Sequence, residues 1–306
     1  MVGETEQELA PRFEICPVLG PDGFMRVAYT EWGPRHAERT VVCLHGLTRN
    51  SRDFDYLARY LAVAGIRVVA PDLPGQGRSD PLTRSRHYAT PVYLAAMSGI
   101  LARVGTSEVD WVGTSLGGHI GMDLAALPYT PIHTLVLNDF RAKVPGAALT
   151  RIRNYLYSDR RFRSTEELEL QFRNAYKPFG SLTDEQWRHL AVHSAVSVGD
   201  GQYRQNYDPA IKMQFMLPIM IDVTLWNVWD RIECPVLIVR AGHSDLLRRD
   251  TVERMLHRGI AASRELVESI EFPDCGHALS LMEERQWRVL GEFLSRDAVD
   301  AAAPSD

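Results

Sequence analysis

Short apolar runs rich in valine and isoleucine alternate with helical patterns along most of the chain, the rhythm of crossover connections in a mostly parallel sheet. Strands are predicted near Phe13–Val18, Met25–Glu31, Thr40–His45, Val68–Pro71, Val109–Gly113, His133–Asn138, Val236–Arg240 and Ile270–Phe272. Only "LGPDG" separates the first two, so that pair is expected to be antiparallel. Helical patterns fall at Arg52–Ala64, Pro91–Val104, Leu116–Ala126, Asp250–Arg258 and Leu281–Ser295. The alternation breaks once. Between Arg141 and about Asp230 helical pattern ("STEELELQFRNAYKPFG", "LTDEQWRHLAVHSAV") intervenes before the next strand. An insertion that long is expected to be a helical lid over one end of the sheet rather than a loop.

The pattern therefore predicts an α/β architecture with about eight mostly parallel strands flanked by helices. Its core comprises residues 1–140 and 231–298, with a helical cap at 141–230 and a small, polar tail at 299–306 that is expected to be disordered. With 306 residues and 45% hydrophobic composition, the chain can bury a large core. No apolar run is long enough for a membrane span, and the start "MVGETEQELAPR" has none, so a soluble, cytoplasmic protein is expected. Cys16, Cys43, Cys234 and Cys275 lack CxxC spacing and read as reduced thiols rather than a zinc site. A net charge of −5 offers nucleic acid no global attraction.

One stretch carries chemistry. In "VDWVGTSLGGHIGMDLAA" a strand runs directly into a helix through G-x-S-x-G, with Ser115 between Gly113 and Gly117. G-x-S-x-G alone is a weak signal, but between strand and helix it has the placement of a nucleophile elbow. The turn strains the serine backbone, and the glycines let strand and helix approach. It also sets Ser115 Oγ at a helix N-terminus, where N–H groups favour developing negative charge.

A serine hydroxyl needs a base and an orienting carboxylate, expected later in the chain in the order Ser, Asp/Glu, His. After "CPVLIVRAG" comes "HSDLL" with Asp245; after "SIEFPD" comes "CGHALSLM" with His277. Both lie just past C-terminal strand ends, the edge where open parallel sheets build sites. Asp245 is the expected acid. Asp139, at the end of "TLVLNDF" one strand earlier, is the alternative. The oxyanion hole is expected from the N–H groups of Leu116 and of Leu47, in "VVCLHGLTRN", where His45 shapes the loop or borders the substrate.

Together, "CLHGLTRN", "VVAPDLPGQGRSD", "VGTSLGGHIGMDLAA", "LVLND", "CPVLIVRAGHSD" and "CGHALSLM" resemble α/β-hydrolase-fold serine hydrolases with a helical cap over nearly the full length. The resemblance implies Ser115, Asp245 and His277 as the triad and "PDLPGQGRSD" as scaffold. Dehalogenases and epoxide hydrolases of this fold carry aspartate at the nucleophile position, so Ser115 argues against both. The 32 residues from Asp245 to His277 and a basic cap are similar to monoalkyl phthalate ester hydrolases. Carbon–carbon hydrolases of ring-cleavage pathways are also similar.

Residues 141–190 hold ten Lys/Arg against six Asp/Glu, which reads either as a solvated helix face or as arginines that meet an anionic substrate. Where relatives often continue "LND" with an Ile-Gly-Pro-like segment, this chain has "NDFRAK", placing Arg141 at the start of the cap. A small aromatic or carboxylate-bearing ester is the expected substrate, with Arg141, Tyr203 and Trp226 as candidate contacts. "MQFMLPIMI" (Met213–Ile221) reads as cap core or acyl-tunnel lining. His189 and His193 lack the glutamate of a zinc-protease motif and read as surface histidines. "PGQGRSD" lacks dinucleotide-loop spacing. No metal or cofactor is expected, and a homodimer stays open. Ester hydrolysis leads; carbon–carbon hydrolysis, acyl transfer to another acceptor and a ligand-binding receptor of the same fold are the alternatives.

Overall fold

Alternating side chains in the central strands serve two separate apolar layers, and this fixes the architecture. In β3 (Thr40–Leu44), Val42 and Leu44 pack on one face with Val69, Tyr93, Met97 and Ile120. Val41 and Cys43 pack on the other with Leu57, Leu61, Leu290 and Phe293. Every residue of β3 and of β4 (Arg67–Pro71) is buried, as expected for strands covered on both sides. Full burial of each large side chain contributes roughly 1.5–3 kcal/mol.

The computed structural model describes residues 9–156, 160–215 and 222–296. β1 (Arg12–Gly20) and β2 (Gly23–Trp32) form the expected antiparallel hairpin. β5 (Val109–Thr114), β6 (Ile132–Asn138), β7 (Val236–Ala241) and β8 (Val267–Phe272) complete an eight-stranded sheet of order β1-β2-β4-β3-β5-β6-β7-β8. β2 runs antiparallel to β4, and β4, β3 and β5 to β8 are mutually parallel. One face carries α2 (Thr90–Val104), α3 (Leu116–Ala125) and α7 (Arg249–Leu256); the other carries α1 (Asp55–Val63) and α8 (Glu284–Leu294). The eight strands fall where the apolar pattern put them. Among the described residues, no helix is long and apolar enough to cross a membrane.

Between β6 and β7 lie α4 (Gly146–Leu156), α5 (Thr165–Ala175) and α6 (Asp184–Ser194). Ser164 caps α5, and a reciprocal Thr183–Gln186 capping box opens α6. The sequence pattern suggested helix throughout this stretch, but part of it is strand. Ala195–Gly199 pairs antiparallel with Gln202–Gln205, turned by Gly199, Asp200 and Gly201, all at positive φ. Lys143–Val144 pairs with Val223–Thr224, which ties the two ends of the insertion together. Phe162, Leu168, Phe172, Trp187 and Leu190 form an apolar cluster in the insertion, which Met282 of the core joins. The tail and residues 216–221 of the "MQFMLPIMI" segment lie outside the described residues.

Candidate active site

Ser115 occupies the turn between β5 and α3 at φ 50° and ψ −109°, a strained conformation for a residue with a side chain. Its N–H continues the sheet pairing by donating to the Asn138 carbonyl at 3.1 Å. Glycine is required around it: a Cβ on Gly117 would overlap the Leu44 carbonyl, and one on Gly113 would overlap the Gly117 carbonyl. β3, β5 and the start of α3 can therefore touch backbone to backbone. As the first residue of α3, Leu116 has an N–H without an intrahelical acceptor.

His277, in the loop between β8 and α8, bridges two groups. Its Nε2 lies 3.1 Å from Ser115 Oγ and its Nδ1 2.6 Å from Asp139 Oδ2. A carboxylate only accepts, so the ring proton sits on Nδ1 and Nε2 turns its lone pair toward the serine hydroxyl. The Asp139 side chain is fully buried. Its Oδ2 also accepts from Ser244 Oγ at 2.6 Å and its Oδ1 from the Ala241 N–H at 3.1 Å. Asn138 braces this arrangement by donating to Thr114 Oγ1 and to the Leu279 carbonyl, each at 3.0 Å.

Asp245, the expected acid, is not in contact with His277. Its side chain is 55% exposed and pairs with Arg151 of α4. The reason is loop length: Asp139 directly follows β6, whereas Asp245 lies four residues beyond the end of β7 and is carried out toward the insertion. Between them, Ser244 turns its hydroxyl back to Asp139. The alternative carboxylate therefore holds the position, and the 32-residue acid-to-base spacing loses its meaning.

Ser115 and His277 open into a cavity of about 260 Å³. Leu47, Leu116 and Asp139 line it from the sheet side; Arg141, Val144, Leu149, Ile152, Gln214 and Leu225 line it from the insertion. Sequence reasoning missed most of these and also His119, which lines the cavity, stacks on Phe140 at 5.4 Å and faces Asp123 at 3.4 Å. Burial lowers the His119 pKa and favours its neutral form. Its spacing, four residues after Ser115 on the same helix, was the available signal.

Three candidate substrate contacts need correction. His45 is fully buried and accepts from the Leu73 N–H at 3.0 Å through Nε2, while Nδ1 donates to the Gly46 carbonyl at 2.7 Å. It shapes the loop that carries Leu47 and does not border the cavity. Trp226 packs beneath the guanidinium groups of Arg254 and Arg258, and Tyr203 pairs through its backbone with Phe162; neither lines the cavity. The "PDLPGQGRSD" turn supports the same loop: Gln76 Oε1 accepts from the Thr48 N–H, and Asp72 accepts from the N–H groups of Ser51 and Arg78.

His189 and His193 are partly buried rather than free on the surface. With Asp55 they form a cluster of metal-ligand type, but Arg52 donates to both Asp55 oxygens, at 2.7 and 2.5 Å, and its Nη1 lies 3.3 Å from His193 Nδ1. A guanidinium thus already neutralises the only carboxylate of the set. The cluster joins α6 of the insertion to the start of α1.

An eight-stranded α/β sheet with a serine at its central strand–helix turn defines a class, and comparison with known proteins agrees. The alpha/beta hydrolase family matches residues 41–290, and the chain belongs to that family. It is 40% identical to the 3-hydroxybutyrate-oligomer hydrolase of Cupriavidus necator over 94% of this chain and 98% of that one. It is 31% identical to lipase LipV of Mycobacterium tuberculosis, over 80% of this chain and 88% of that one. A solved alpha/beta hydrolase from Novosphingobium aromaticivorans superimposes with a TM-score of 0.82 at 30% identity, covering 94% of this chain and 99% of that one.

Proposed function

We propose that the chain is a serine ester hydrolase that forms an acyl-enzyme on Ser115, and that its substrates are short esters of 3-hydroxyalkanoic acids, such as 3-hydroxybutyrate oligomers. The observation that carries this reading is the hydrogen-bonded line Ser115–His277–Asp139, with an imidazole lone pair toward the serine and a buried carboxylate behind. His277 takes the Ser115 proton as Oγ attacks the ester carbonyl, then delivers it to the departing alcohol. Asp139 holds the tautomer and stabilises the imidazolium; its other two donors keep the carboxylate aligned. Water, activated by the same histidine, then releases the acid from Ser115.

The Leu47 and Leu116 N–H groups act as the oxyanion hole, where loss of one donor costs roughly 100- to 1,000-fold in rate. Residues 141–230 serve as a cap that excludes water from the mainly apolar cavity. The 40% identity to an oligomer hydrolase supports the substrate class.

Burst kinetics with p-nitrophenyl butyrate and turnover of the 3-hydroxybutyrate dimer test this, together with mass spectrometry of the quenched enzyme. A burst with an acyl adduct on Ser115, absent in Ser115→Ala, is the expected result. Steady turnover without an adduct, or turnover retained by Ser115→Ala, would overturn it.

A further inference from the structure

Arg141 is 2% exposed and lines the same cavity as Ser115 and His277. Its Nε donates to the Lys143 carbonyl at 2.5 Å. Among the described residues, no carboxylate lies within ion-pair distance of it. The carboxylates whose fields reach it, Asp139, Asp245 and Asp222, are each engaged elsewhere. Asp139 is held by His277, Ser244 and the Ala241 N–H; Asp245 by Arg151; Asp222 by Lys143 and the Gly146 N–H. Lys143, Arg151 and Arg173 of the insertion, by contrast, have acidic partners.

Burial lowers the Arg141 pKa to about 10, which still leaves it charged at neutral pH. A buried charge without a counter-ion costs several kcal/mol, and the guanidinium fork is shaped for a carboxylate. Among the described lining residues, Arg141 is the cavity's only arginine or lysine.

The chemistry of such a substrate gives a direction. In a 3-hydroxyacid oligomer, the fragment leaving as alcohol is always the one that carries the free carboxylate. In the last unit only two carbons separate the leaving oxygen from the carboxylate carbon.

We propose that Arg141 binds the free carboxylate of the substrate on the leaving-group side, so that the enzyme removes single units from the carboxyl end of short 3-hydroxyacid oligomers. The proposal rests on the ester-hydrolase reading above. The reaction needs only water: the ester C–O bond breaks, Ser115 Oγ acquires the acyl group, and the released hydroxy acid carries the proton from His277.

The test compares the 3-hydroxybutyrate dimer with the same dimer carrying a primary amide at its carboxyl end, in wild type and Arg141→Met. Wild type is expected to favour the acid by about 30-fold or more in kcat/KM, the size of a charged hydrogen bond. Arg141→Met should lose that preference, its kcat/KM on the acid falling toward its own value on the amide. An equal loss on both substrates, or no loss on either, would overturn the proposal. Wild type alone supplies a second reading with a trimer isotopically labelled in its carboxyl-terminal unit: the label should appear first in monomer, and label appearing first in dimer contradicts the proposal even if the variant fails to fold. If wild type cleaves p-nitrophenyl butyrate and both dimers equally, the Arg141 proposal fails alone. If it cleaves no ester, the hydrolase reading fails with it.

Discussion

The loops that follow β6 and β7 start from neighbouring parallel strands, paired at Val239 and Asn138, and each carries an aspartate. They end in opposite environments. After β6 the chain turns at once: Asp139 adopts φ 52°, its N–H donates to the Val239 carbonyl at 2.8 Å, and its carboxylate collects three donors in full burial. After β7 the chain runs further, and Asp245 reaches half-exposed water and an arginine of the insertion. Exposed ion pairs contribute about 0–1 kcal/mol, whereas a buried carboxylate with three donors is held in one orientation. On the proposed reading the carboxylate behind His277 needs that fixed orientation, and of these two loops the first supplies it.

The largest expected effect is Ser115→Ala, a loss of about 10⁵- to 10⁶-fold in kcat if the serine is the nucleophile, measured by ester turnover. Gly117→Ala attacks the backbone contact that places Ser115. Its new Cβ would meet the Leu44 carbonyl, and the predicted destabilisation is about 1–3 kcal/mol, read by urea unfolding; unchanged stability would mean the elbow has slack.

A smaller effect concerns the joint between insertion and core. Burial, then Arg52 and His189, lower the His193 pKa from 6.5 to about 4, against a weak opposing pull from Asp55, and Arg78 adds to the lowering. The unfolded chain therefore binds this proton first. Stability from neutral His193 is complete above pH 6.5 and declines as pH falls from 6.5 toward 4. His193→Gln should flatten the Tm profile in that window, and an unchanged slope would remove His193 from the account. The smallest effect is Asp245→Asn, expected to alter kcat less than about 3-fold, as for an exposed pair.

Most of the fold was legible because buried parallel strands write continuous apolar runs, and Ser115 and His277 stood at strand ends in motifs with positional meaning. The acid was not settled by the same logic. Asp139 and Asp245 share an edge, and choosing between them depends on how far each loop travels and where Ser244 points. The Ala195–Gln205 hairpin escaped because it directly follows the helical pattern of α6, although "VGDGQ" carried the turn chemistry. Trp226 and Tyr203 were placed in the pocket by residue type, which does not specify a side chain's direction. Arg141 was legible as a departure in "NDFRAK"; its burial without an ion-pair partner was not.

The central claim, that Asp139 and not Asp245 orients His277, is tested most directly by the single-turnover acylation rate of Asp139→Asn beside Asp245→Asn. Replacement of Asp139 leaves the histidine in the wrong tautomer and should lower the rate by about 10⁴-fold, with Asp245→Asn within about 3-fold of wild type. A large loss in Asp245→Asn together with near-normal acylation in Asp139→Asn would contradict the account.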